Sequence, residues 1–144
     1  LTRLLALIAL FLLPAAAGSG LDEVKQEPDL VKRFEKAIVL AEADTRAAHQ
    51  IVKDNGSRAE LNSTLEEVGA AAKLALQSLR DTGKRAGKLS KHYKKGELKT
   101  QAIVRQLKDL VLALSLEDRP VAEQTRDQVM LIHEEFLLGV MTGK

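Results

Sequence analysis

KLSKHYKKGELKTQAIVRQLKDLVLAL, residues 88–114, is the stretch whose reading decides the fold. It opens basic and carries Gly96, so on composition alone it reads as a loop followed by a short helix. Its spacing says otherwise. Leu89, Tyr93, Gly96, Thr100, Ile103, Leu107, Leu110 and Leu114 alternate four and three residues apart without a break, the period of one helix face turned to a core. The stretch reads as a single helix from about Lys88 to Leu114. Gly96 is then a seam position where a neighbour comes close, at a helix-propensity cost of about 1 kcal/mol relative to alanine.

The flanking sequence repeats the same pattern. Upstream, Pro28 suits a first helical turn, with Glu27 and Asp29 near the positive end of the dipole. The stripe Phe34, Ile38, Ala41, Thr45, Ala48 and Val52 follows. Asp54-Asn55-Gly56 is a turn signal, and Ser57 with Glu60 has the spacing of a capping box. Leu61, Leu65, Val68, Ala72, Ala75 and Leu79 make a second stripe that Gly83 stops. Downstream of residue 114, Asp118 reads as an N-cap and Pro120 lies in the first turn, where its missing donor is harmless. Ala122, Thr125, Val129, Ile132, Phe136 and Gly139 make the last stripe. Four amphipathic helices of similar length on short links predict an all-α fold, an up-down-up-down antiparallel four-helix bundle over residues 28–144. The scarcity of aromatics, one Tyr, three Phe and no Trp, fits aliphatic helix packing better than sheet.

Ahead of the bundle, Arg3 precedes an unbroken apolar run from Leu4 to Leu13, then Pro14 and Ala15-Ala16-Ala17. A basic start, an apolar core and a small-residue end form the pattern of a secretory signal peptide cut after Ala17. The run is half of what a membrane-spanning helix needs, so the expectation is an exported protein, periplasmic or extracellular, with no transmembrane anchor. Residues 18–27 read as a mobile leader. The chain has no cysteine, which excludes a lipid-modified cysteine, thiolate zinc and iron–sulfur sites, and a cysteine nucleophile.

Candidate chemistry thins out on inspection. His49, His92 and His133 fall at different heights on different helices and do not converge on one ion. Arg46, Leu89 and Met130 stand three before them, where a di-iron bundle needs Glu. Met130 and Met141 both lie on the last helix, so a haem-binding pair across the bundle is missing. Glu66-Glu67 and Glu134-Glu135 are adjacent on their helices, point about 100° apart and read as solvated faces. Gly83 to Leu89 has three residues between its glycines where a phosphate loop has four, and it lacks the Ser or Thr for magnesium. The expectation is no enzyme, no metal and no cofactor.

Charge is the positive feature. The net charge is only +2, yet Lys84, Arg85, Lys88, Lys91, Lys94, Lys95 and Lys99 fall in a span whose only acid is Glu97. These seven residues are the expected partner-binding site, a basic end-face for an anionic protein, polymer or lipid surface. Export and the lone seam aromatic Tyr93 disfavour nucleic acid. The competing expectation is a small-ligand or haem carrier, with Ala72, Ala75, Gly96 and Gly139 leaving interior room. A monomer is favoured, with Val31, Leu40, Leu74, Leu76, Leu112 and Leu131 as surplus apolar positions for a homodimer.

Overall fold

The computed structural model describes residues 20–144; the signal peptide read over residues 1–17 lies outside them. The described residues are all-α and contain no strand. The elements are α1 (Gly20–Lys25), α2 (Leu30–Lys53), α3 (Arg58–Asp81), α4 (Ser90–Ala113) and α5 (Arg119–Thr142), with 3-10 turns at Ala86–Leu89 and Leu116–Asp118. Each of the four long helices has 24 residues, a length of about 36 Å.

Local signals set the ends of these helices. Asp29 is the N-cap of α2, its carboxylate accepting from the backbone N–H groups of Val31 at 3.0 Å and Lys32 at 3.1 Å. Pro28 therefore stands ahead of the helix instead of in its first turn. Asn55 takes the left-handed conformation at φ 53°, and Ser57 Oγ accepts from the Glu60 N–H at 3.1 Å, half of the expected capping box. Gly83, at φ 71°, ends the turn after α3, and Gly143, at φ 68°, caps α5. Asp118 precedes α5 but makes no side-chain cap bond. Its carboxylate instead takes Arg58 Nε at 2.6 Å and the Ser115 hydroxyl at 3.0 Å.

The stripes are the core. Every seam residue read from the sequence is buried except Val52, which is half-buried in the last turn of α2. The predicted third helix splits at its start: Ala86–Leu89 is a 3-10 turn, and the α-helix proper begins at Ser90. Its seam from Leu89 to Leu114 is nevertheless buried throughout.

The helices pack as two hairpins, α2 on α3 and α4 on α5, joined mainly through α3 on α5 and less extensively through α2 on α4. One end of the molecule brings together the N-terminal part of α2, the C-terminal part of α3, the N-terminal part of α4 and the C-terminal part of α5. There Phe34 meets both Phe136 and His92, and Arg80 pairs with Glu135. At the other end, Arg58 meets Asp118 and His49 meets the Gln106 carbonyl. Neighbours are thus antiparallel within each hairpin and parallel between hairpins, a juxtaposition absent from the sequence expectation. The connection over residues 82–89 can span up to about 26 Å, ample to cross between helices about 10 Å apart.

The leader expected over residues 18–27 is, from Gly20 onward, docked and helical. Val24 is buried in the core and Leu21 packs against it. This short helix covers apolar surface of α2 and α3: a Cβ at Gly20 would lie 2.8 Å from Leu40 Cδ1. Four of the six surplus apolar positions are covered in this way or by the bundle itself, with Leu76 buried and Val31, Leu40 and Leu74 half-buried. Leu112 and Leu131 stay exposed.

A basic end-face and its internal ion pairs

The connection from α3 to α4 builds the first half of the basic face. Thr82 Oγ1 donates to the Leu79 carbonyl at 2.6 Å and accepts from the Lys84 N–H at 3.1 Å. Gly83 then reverses the chain. Ala86 and Leu89 are buried, anchoring the 3-10 turn to the core, and Lys88 N–H donates to the Arg85 carbonyl at 2.9 Å. With these two residues fixed inward, Lys84, Arg85 and Lys88 face outward and are exposed, as is Lys91 in the first turn of α4. Gly87 N–H donates to the Gly143 carbonyl at 3.0 Å, tying this turn to the last residues of α5.

The second half of the expected site does something else. Lys94 pairs with Glu97 at 3.0 Å, and that carboxylate is 8% exposed. Lys95 pairs with Glu35 of α2, and Lys99 with Glu42 of α2 at 3.2 Å. His92 Nδ1 stands 3.5 Å from the other oxygen of Glu35. Farther along, a ring nitrogen of His49 meets the Gln106 carbonyl at 3.0 Å. Glu35, Glu42 and His49 are seven apart, as are His92, Lys99 and Gln106, which makes a polar ladder in register between two parallel helices. Lys95 and Lys99 are therefore ties between α2 and α4, and both are half-buried.

Among the described residues, Lys84, Arg85, Lys88 and Lys91 have no carboxylate within ion-pair distance. They crowd the start of α4, which has no acid in its first turn and no side-chain cap. Cations at that end oppose the helix dipole, each by about 0.3–1 kcal/mol. The C-termini of α3 and α5 arrive at the same end, and their carbonyls offset part of this charge. What the arrangement can do chemically is attract an anion.

No other constellation assembles among the described residues. The three histidines have separate partners: His49 the Gln106 carbonyl, His92 Glu35, and His133 the Glu97 carbonyl at 2.9 Å and Thr100 Oγ1 at 3.2 Å. Among the described residues no group of three or more His, Asp or Glu is placed to hold a metal ion. The interior positions named for a guest are filled. Ala72 and Ala75 are fully buried in the core, the Phe136 ring occupies the space over Gly96, and Tyr93 that over Gly139. No helix among the described residues is long and apolar enough to cross a membrane.

One further pair of residues carries no signal in the sequence. Glu67, expected on a solvated face, meets Asp44 of α2. Burial raises the Asp44 carboxyl to about 7, reinforced by its hydrogen bond to Glu67 and by that group's charge. Asp44 Oδ2 is buried and has no hydrogen-bond partner among the described residues, a setting that favours the protonated carboxyl. The residues are far apart in sequence, and no local pattern marks the pair. Compared with protein-family models, with curated proteins and with solved structures, the chain has no match.

Proposed function

We propose that this protein is an exported, non-enzymatic helical-bundle module that docks an anionic partner through its basic end. In this reading the four long helices act as one up-down bundle, a rigid support for a small charged cap. The observation that carries it is the separation of the seven expected cations into two sets. Lys94, Lys95 and Lys99 are held by carboxylates of the fold, whereas Lys84, Arg85, Lys88 and Lys91 are exposed and, among the described residues, unpaired. The unpaired set gathers at one end, ahead of an uncapped helix start.

Retention on an anionic matrix at low ionic strength tests the proposal. K84Q/R85Q/K88Q/K91Q is expected to lose salt-sensitive retention, whereas K95Q/K99Q is expected to keep most of it, because that pair of substitutions removes cations already neutralised. Equal loss in both variants, or none in either, overturns the assignment. Circular dichroism of each variant establishes that helicity is unchanged.

A further inference from the structure

The basic end carries a second feature that charge alone does not account for. Gly87 N–H bonds to the Gly143 carbonyl, so the last two turns of α5 lie beside the basic turn. On those turns Leu138 is 54% exposed, Met141 74% and Val140 36%, with Leu137 half-buried among them. At about 100° per residue, Val140, Leu137, Met141 and Leu138 sweep an arc of about 160° on α5 that begins beside core-facing Phe136 and ends short of Gly139. The chain holds no acid between Asp81 and Glu97, and none from Phe136 to Lys144. Arg85 and Lys88 lie beside Gly143, two residues beyond Met141, so exposed cations and exposed apolar side chains share this end, with no acidic side chain in the sequence of either segment. Of the nearest acids, Glu97 holds Lys94 and Glu135 holds Arg80, Asp81 accepts from the neutral amide of Gln77, and exposed Glu134 stands one turn below Leu138 on the same face.

We infer that the surface this end docks on is an anionic lipid bilayer, with Lys84, Arg85, Lys88 and Lys91 at the headgroups and Met141 and Leu138 entering the interface. This rests on the docking function proposed above and names its partner. A soluble polyanion is met by cations alone and gives no return for exposing a methionine and two aliphatic side chains. A bilayer rewards both, since attraction to anionic headgroups and burial of apolar side chains at the headgroup boundary add together. The stems of the lysines contribute to the same burial. No long helix needs to insert, because the feature lies at one end of the bundle and leaves the core closed.

The absence of tryptophan makes the test direct. Met141→Trp and, at the opposite end of α4, Leu112→Trp place single reporters on two exposed positions of the full chain. Both are mixed with vesicles of phosphatidylglycerol and phosphatidylcholine, and with vesicles of phosphatidylcholine alone. The expected result is a blue-shifted, quencher-protected emission from position 141 on the anionic vesicles at low salt, with position 112 still wet. Adding K84Q/R85Q/K88Q/K91Q should lower partitioning by about fivefold per cation removed, more than a hundredfold in all. A contribution from the apolar run at residues 4–13 would be common to every variant and insensitive to those four changes. If the protein binds anionic vesicles through the four cations while position 141 stays wet, charge alone governs docking; the lipid inference fails and the proposed function stands. The lipid inference fails in the same way if binding is confined to a soluble polyanion. If neither vesicles nor polyanion bind, both fail.

Discussion

A Cβ built on Gly96 would lie 2.5 Å from the Phe136 ring, and one on Gly139 would lie 2.4 Å from Tyr93. The rings of Phe136 and Tyr93 stack edge to face, 5.8 Å apart, and each sits over the glycine of the facing helix. Alanine has the better helix propensity, yet Gly96→Ala is expected to destabilise the protein by about 1–3 kcal/mol, because the intruding methyl meets a fully buried ring that cannot retreat. Urea unfolding checks this; a stability gain would mean that the ring is free to move. Asp44 makes the second prediction at this scale. Its folded value of about 7 lies above the ordinary 3.8, so between these limits the folded state binds more protons than the unfolded one. Stability should therefore fall as pH rises from about 4 to about 7 and level off above. Asp44→Asn removes that slope and, after discounting for partial solvent exposure, raises stability above pH 7 by about 1–2 kcal/mol. Thermal unfolding across this pH range decides it, and an unchanged slope in the variant would place its source elsewhere. The glycine at 96 was legible as a seam position because its spacing fits the stripe. The carboxyl pair was not, since the register between α2 and α3 is no property of either segment.

At the scale of elements, α4 serves two surfaces with one set of lysines. Its first turns carry exposed cations outward, while Lys95 and Lys99 reach across to α2. Each tie is partly solvated, with Lys99 and Glu42 side chains 42% and 27% exposed, so a double-mutant cycle on Glu42→Gln and Lys99→Gln should return a coupling of about 0.2–1 kcal/mol. A value several times larger would mean that the ladder is a main support of the α2–α4 interface. Glu35→Gln frees Lys95 and leaves His92 without its carboxylate. It is expected to strengthen retention on an anionic matrix modestly with little change in stability. The heptad spacing on each helix is visible in the sequence, but the offset that sets Glu35 against His92 and Glu42 against Lys99 exists only once the helices lie parallel.

For the whole molecule, α1 decides how much apolar surface is left. By packing on Leu40 and burying Val24, it covers part of the surplus apolar surface, while Leu112 and Leu131 stay exposed. Light scattering at micromolar concentration is expected to give the mass of a single chain. A dimer would point to an interface on the apolar arc of α5, and Met141→Gln should then dissociate it.

What the sequence determined by itself is the four long helices and the seams that make most of the core, though not the short α1 that adds Val24 to it. The four stripes repeat at the helical period, and burying them leaves little choice of which face turns inward. The caps at Ser57 and Gly143 and the turn at Asn55 are equally local, because each rests on a side chain or a φ angle within a few residues. Only the tertiary structure decided which helices are neighbours, and with that the sorting of seven similar cations into ties and free charges. A lysine's role depends on what stands opposite it, and opposition is set by the 82–89 crossing, which places α4 beside α2. The same crossing brings the C-terminal turns of α5 to the basic cap, so the join of charge and apolar surface at that end is a product of packing.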